Sequence, residues 1–171
     1  MSTNALLGGE NQDMGSRHRT DRWLTPPEYV EALGEFDLDP CGAPNHSLAT
    51  RTYLLENGED GLREPWFGRV WCNPPYGKLA EPFLTRMVEH GNGIALVFAR
   101  TETASFHKHV WGEAHALLFL KGRITFLDAE GRKAKANSGA PSCLVAYGDN
   151  NVEALENSGL PGKVVLLKKG V

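Results

Sequence analysis

The sequence lacks the features that would place it in a membrane, cross-link it or give it a metal. Its 171 residues contain no apolar run of bilayer-spanning length and no recognisable signal peptide, so a soluble, cytoplasmic protein is expected. Cysteine is scarce: Cys41, Cys72 and Cys143 are odd in number and lack metal-ligand spacing, which argues against disulfides and against zinc. Basic charge is also in short supply. Lys and Arg number 18 against 21 Asp and Glu, for a formal net charge of -3, so the chain does not grip nucleic acid with its whole surface and any such contact must be local. Internal repeats are absent. With 41% apolar residues there is material for one core. One domain is therefore expected over 21–171, preceded by a flexible polar, glycine-bearing tail over 1–20.

What is present centres on Val70-Trp71-Cys72-Asn73-Pro74-Pro75-Tyr76-Gly77-Lys78, an apolar strand-like segment that runs straight into two prolines. Proline fixes φ and removes the backbone donor, so the chain must leave the sheet here in a rigid extended form. The Asn73 side-chain oxygen and the Pro74 carbonyl make an acceptor pair suited to an exocyclic amino group with two N–H donors, and the Tyr76 ring offers a flat face for a base. Such an amine is a poor nucleophile, because its lone pair is delocalised into the ring. Drawing both hydrogens toward acceptors moves the nitrogen toward sp3 character and makes methyl transfer possible. The bland alternative is a proline turn after a buried strand.

The flanking chain reads as an α/β domain. Thr25 is placed as an N-cap, with Glu28 completing a capping box and Pro26 at the first helical position, ahead of a short helix ending at Gly34. Phe36-Asp37-Leu38-Asp39 alternates apolar and acidic residues and breaks at Pro40, which predicts a strand with Asp39 at its tip. A second short strand is expected over 52–56, closing on Glu56, with a turn containing Asp60 after it. Acids at the tips of parallel strands are where doubly wound sheets hold hydroxyls and amines. The spacing then predicts a helix over 79–90, a strand buried on both faces over 94–99, a helix over 103–111, and strands over 115–121, 142–147 and 163–167. The polar segment 128–141 reads as a functional loop, mobile without its partner. Strands alternating with helices, then a strand-rich end, predict a mainly parallel sheet with an antiparallel edge.

Two basic clusters stand out, Arg17, Arg19 and Arg22 near the start and Arg132, Lys133 and Lys135 in the polar loop. Each is either a solvated face or a local phosphate contact. His107 and His109 lie two apart on the expected helix, too far round it to share a metal, and Trp66, Trp71 and His115 read as core residues.

Six motifs in one order, Trp23-Leu24-Thr25-Pro26, Phe36-Asp37-Leu38-Asp39-Pro40-Cys41, Asp60-Gly61-Leu62, Asn73-Pro74-Pro75-Tyr76, Arg100-Thr101-Glu102-Thr103 and Gly122-Arg123-Ile124-Thr125-Phe126, give the chain its family likeness. It resembles the phage-type DNA N6-adenine methyltransferases over most of residues 21–148. The resemblance implies a Rossmann-like class I methyltransferase sheet, mainly parallel with a reversed strand at the C-terminal end. It implies S-adenosylmethionine as cofactor, double-stranded DNA as partner, and a phage or prophage gene acting in a bacterial host. Carried over residue by residue, it makes Asn73, Pro74 and Tyr76 catalytic. It places Thr25 and Pro26 at the methionine end of the cofactor, with Asp39 and Cys41 beside it, Glu56 on the ribose, Asp60 at the adenine pocket, and Asn73 also in contact. The glycine-rich loop usual after the first strand is here Cys41-Gly42-Ala43-Pro44-Asn45, and the span from Asp39 to Asn73 leaves little room for a helix between the first two strands.

Asn-Pro-Pro-Tyr also marks enzymes that methylate a glutamine amide, because that amide is likewise a planar NH2. A cytosine-C5 enzyme using Cys41 as nucleophile would leave the tetrapeptide without a task. A nucleic-acid-binding module without activity would need no cofactor. No separate target-recognition domain fits the length, so DNA specificity is expected to come from loops.

Overall fold

The structure, a computed structural model, describes residues 23–167. Seven strands form one sheet in the order β2-β1-β3-β4-β6-β5-β7. They are β1 (Leu38–Asp39), β2 (Arg51–Thr52), β3 (Val70–Cys72), β4 (Gly93–Phe98), β5 (Ala116–Leu120), β6 (Ser142–Tyr147) and β7 (Gly162–Leu166). β2, β1, β3 and β4 are mutually parallel, whereas β6 runs antiparallel to β4 and to β5, and β7 antiparallel to β5. The expected parallel sheet with an antiparallel end is therefore present, with two reversed strands rather than one.

Strand alternation sorts the core into two layers, as the period of two dictates. Val70, Cys72, Ala95, Leu117, Cys143 and Val145 face one side, where helices α2 (Ala80–His90) and α3 (Ala104–Phe106, continued by a π turn over His107–Trp111) cover them with Phe83, Met87, Phe106 and Val110. Trp71, Ile94, Leu96, Leu118, Leu144 and Ala146 face the other, under Val30 and Leu33 of the first helical segment, Ile124 and Phe126 of the 122–126 stretch, and Leu155 of α4 (Asp149–Asn157). The uninterrupted apolar run 94–99 is thus explained by a strand roofed on both faces.

Three local expectations need correcting. The first helix, α1, spans Pro27–Glu31 with Pro26 at its N-cap and no side-chain cap bond, so the Thr25–Glu28 capping box does not form; Thr25 is engaged elsewhere. β2 stops at Thr52, and the chain passes through a 3-10 turn, Leu55–Asn57, closed by Gly58 at φ 78°. Glu56 therefore sits on that turn and not at a strand tip. Helix α4 was not foreseen: its apolar residues are few, Val152, Ala154 and Leu155, and it is anchored by the buried Asn151, which bonds the Tyr147 carbonyl (2.7 Å) and receives Arg69 Nε (2.7 Å). No helix is inserted between β1 and β2.

Among the described residues no helix is long and apolar enough to cross a membrane. The 128–141 segment folds back on 122–127, with Ala134 N bonded to Phe126 O (2.9 Å) and Ser138 N to Ile124 O (2.8 Å). A two-way bridge between Leu24 and Leu127, 2.8 Å in each direction, ties this region to the segment before α1.

One glycine sets the spacing of the loops after β1 and before β3. A Cβ at Gly61 would lie 1.8 Å from the Pro40 carbonyl oxygen, so this approach admits no side chain. Gly61→Ala is expected to lower stability by about 1–3 kcal/mol through forced separation of the two loops. Denaturant midpoints of the two proteins measure it, and an unchanged midpoint would show that the loops yield freely.

Candidate active site

The chain runs outward from β1 to β2 and then returns to β3 on the other side of β1, so the sheet reverses its order between β1 and β3. In open α/β sheets such a reversal leaves a crevice beyond the carboxyl ends of the two strands. Here it holds a cavity of about 600 Å³, lined by residues 39–43 after β1 and 73–76 after β3. Exposed apolar side chains, Trp23, Leu55, Tyr76 and Leu79, surround it.

Asn73 is held from three sides. Its side-chain Nδ2 donates to the Thr25 hydroxyl (3.1 Å), and Thr25 is itself buried, which is why that hydroxyl is not available to cap α1. This bond sets the amide orientation and leaves Oδ1 with no donor among the described residues. The Asn73 backbone carbonyl accepts the Cys41 thiol hydrogen (3.1 Å), so the first residues after β1 and β3 are clasped together. The two prolines then hold the outgoing chain extended, and no described amide donates to the Pro74 carbonyl. The result is a side-chain oxygen and a backbone oxygen, one residue apart on a rigid segment, with acceptor capacity unspent.

Tyr76 follows, half exposed, with its ring stacked on Phe98 at the end of β4 (centroids 4.8 Å apart, planes at 10°). Burial on that side pushes its hydroxyl up to about 12, so it stays protonated in any ordinary buffer and offers a ring face and not a base.

Asp39 lines the same cavity and is almost fully buried. Its Oδ1 accepts the Cys41 amide (3.1 Å), but desolvation outweighs that bond and raises the carboxyl from 3.8 to about 7. A buried carboxyl this costly to ionise suits a cationic partner. Cys41 also lies 3.7 Å, sulfur to sulfur, from Cys72; both thiols are free, and the contact with Cys72, together with burial, drives the Cys41 thiol well above its ordinary value.

Of the remaining sequence-derived residues, Pro26 forms the N-cap position next to Thr25, and Asp60 lines the cavity while its Oδ1 caps Leu62 N (2.9 Å). Glu56 does not line it, because the 3-10 turn presents Leu55 there instead; Glu59, which sequence reasoning passed over, does line it and is held by Arg51 and by the Leu54 amide. Arg132 is paired with Asp128 (2.9 Å) and Glu130 (3.2 Å), whereas Lys133 and Lys135 have no ion pair among the described residues. Arg17, Arg19 and Arg22 lie outside the described residues. His109 is enclosed, with Thr85 Oγ1 2.9 Å from Nε2 and the Ser105 carbonyl 3.0 Å from Nδ1, and no group of three or more metal-ligating side chains occurs among the described residues.

A family model described as DNA N-6-adenine-methyltransferase (Dam) matches residues 14–156, which is most of the chain. The chain belongs to this family. The Dam match separates adenine from the glutamine amide, which the tetrapeptide could not, and it makes this protein a DNA adenine N6-methyltransferase using an S-adenosylmethionine-type methyl donor. No curated protein and no solved structure matches the chain.

The Asp39 carboxyl gives the methyltransferase a pH signature. The folded protein holds a proton that the unfolded chain has lost between about pH 4 and pH 7, so this group's contribution is full below pH 4 and is lost as pH rises through about 7. Relative to Asp39→Asn, wild-type stability should fall across that window, by about 4 kcal/mol at most. Urea unfolding of both proteins at pH 5 and pH 8 tests this; parallel behaviour at the two values would remove the assignment.

Proposed function

We propose that this methyltransferase binds S-adenosylmethionine in the cavity between β1 and β3 and methylates the N6 amino group of an adenine extruded from double-stranded DNA, on a Rossmann-like class I sheet with its C-terminal strands reversed. The observation that carries this reading is the fixed Asn73 amide, turned by Thr25 so that Oδ1 is left for a donor on the substrate.

The cavity fits the cofactor on three counts. Its volume, about 600 Å³, lies in the range of sites for ligands of that size. The buried Asp39 carboxyl, raised to about 7, is matched by a cation-bearing ligand. The apolar rim of Trp23, Leu55 and Leu79 suits a purine face. In this reading Thr25, Pro26, Asp39 and Cys41 hold the amino-acid end, Asp60 faces the adenine as expected, and Glu59 takes the place intended for Glu56 at the ribose. When bound, S-adenosylmethionine supplies an electrophilic methyl group.

The chain's own residues do the rest. Extruding an adenine costs about a few kcal/mol, and stacking on Tyr76 returns roughly 1–3 kcal/mol. Asn73 Oδ1 and the Pro74 carbonyl accept hydrogen bonds from the two amino hydrogens, draw electron density onto the nitrogen, and bond more strongly as positive charge develops there; once the nitrogen carries the methyl group, one of these protons leaves to water. Cys41 and Thr25 keep those acceptors from turning away. Tyr76 contributes position and no proton transfer. DNA approaches over the 122–141 region, where Lys133 and Lys135 are available to phosphates and Arg132 is largely neutralised by its own loop. Arg17, Arg19 and Arg22 are the second proposed basic contact.

Removing one preorganised transition-state acceptor typically costs about 10²–10³ in rate. Asn73→Ala should therefore lose at least about a hundredfold in kcat while binding S-adenosylhomocysteine as wild type does, as measured by single-turnover tritium transfer to unmethylated plasmid DNA and by calorimetry. Near-normal turnover would overturn the role of Asn73. Replacing Lys133 and Lys135 together by Ala should reduce the slope of log K for DNA against log salt by about 2. An unchanged slope would remove the loop from the interface.

A further inference from the structure

The motif that names the reaction leaves one aromatic contact unexplained. Tyr76 belongs to the loop after β3, yet its ring lies flat on Phe98, the last residue of the neighbouring strand β4, with centroids 4.8 Å apart and planes only 10° from parallel. Aromatic pairs meet either offset-stacked or edge to face, and this stack contrasts with Phe36 and Trp71, which meet at 62°. Tyr76 lines the cavity and Phe98 does not. The Arg100 guanidinium stands over the Phe98 ring, 5.7 Å from its centroid. β3 and β4 are locked in parallel register, with Cys72 opposite Ala95, and β4 is in turn paired along its length with β6, so Phe98 stands on a rigid strand end.

We propose that Phe98 is a positioning residue for methyl transfer: it fixes the plane of the Tyr76 ring so that the open face is presented to the extruded adenine. The inference rests on the reading of Tyr76 as the stacking platform. Tyr76 follows two prolines, the next residue Gly77 has φ 83°, and Phe98 is the one ring stacked on Tyr76 among the described residues. With Phe98 in place, the ring has lost its rotational freedom before the base arrives, and the order needed for stacking is not taken from the binding step. The rear stack also leaves a single face for the base, so adenine enters from the cavity side alone. Phe98 touches neither substrate nor cofactor in this arrangement and acts wholly through Tyr76.

The test is a double-mutant cycle on DNA methylation, which isolates action through a partner from general structural damage. Unmethylated plasmid DNA serves as substrate, and kcat and KM are measured for wild type, Phe98→Leu, Tyr76→Ala and the double variant. Phe98→Leu should lower kcat/KM for DNA about three- to tenfold, the range expected for an aromatic pair, while leaving S-adenosylhomocysteine affinity unchanged. In the Tyr76→Ala background the same substitution should change kcat/KM by less than about twofold, because the ring it supports is gone. Phe98→Tyr, which keeps the stack, should restore most of the loss. The full Phe98→Leu effect persisting without Tyr76, or wild-type kinetics in Phe98→Leu, would overturn the proposal. If Tyr76→Ala itself leaves DNA kinetics unchanged, the platform reading fails first, and that result is distinct from either outcome at Phe98.

Discussion

Everything at the site depends on where the Asn73 side chain points, and that is decided by a hydroxyl 48 positions earlier in the chain. An amide that donates from Nδ2 must present Oδ1 on the opposite side, so the Thr25 bond converts a symmetric-looking group into a directed acceptor. The Cys41 thiol does the same for the backbone of Asn73 from the neighbouring strand end. Neither bond is strong, but both are made by buried or half-buried groups whose loss would leave unsatisfied atoms behind. The directionality of the site is therefore enforced by the fold. Segment 23–26 is in turn fixed by the Leu24–Leu127 bridge, so a loop far along the chain also bears on the angle at Asn73.

Electrostatics at the same strand ends runs against stability. Asp39 is buried with one backbone amide as its resolved donor, and its carboxyl resists ionisation. At neutral pH the folded state must either hold a proton that the unfolded chain releases or bury a charge. Retaining a carboxyl there is understandable if a cation takes up the charge when the cavity fills, and this kind of strain against the empty fold is common where ligands bind.

Much of the architecture could be read in advance because burial on both faces erases alternation: 94–99 and 142–147 could scarcely be anything but central strands. The proline motif was equally plain, since its constraint is covalent. What escaped was whatever depends on a distant partner. Thr25 satisfies every local rule for capping a helix, and only the tertiary position of Asn73 takes its hydroxyl away. Glu56 fits a strand tip until Gly58 adopts the left-handed conformation and curls the chain into a turn. Helix α4 hides because it buries an asparagine where a periodic pattern calls for an apolar residue. The Tyr76–Phe98 stack joins residues 22 apart in sequence and becomes visible only once β3 and β4 are aligned.

The sheet is also unequal from one end to the other. β1 and β2 have two residues each and β3 has three, whereas β4 and β6 have six and β5 and β7 have five. Short ladders close few backbone bonds, so amide hydrogens near Asp39 and Thr52 should exchange through small local openings, and those of Leu96 or Leu144 only when the whole sheet comes apart. The crevice thus lies at the margin of the least cooperative part of the molecule. A ligand seated there draws its affinity partly from knitting that margin to the rest, and it protects the chain from proteolysis in proportion to how fully it occupies the site.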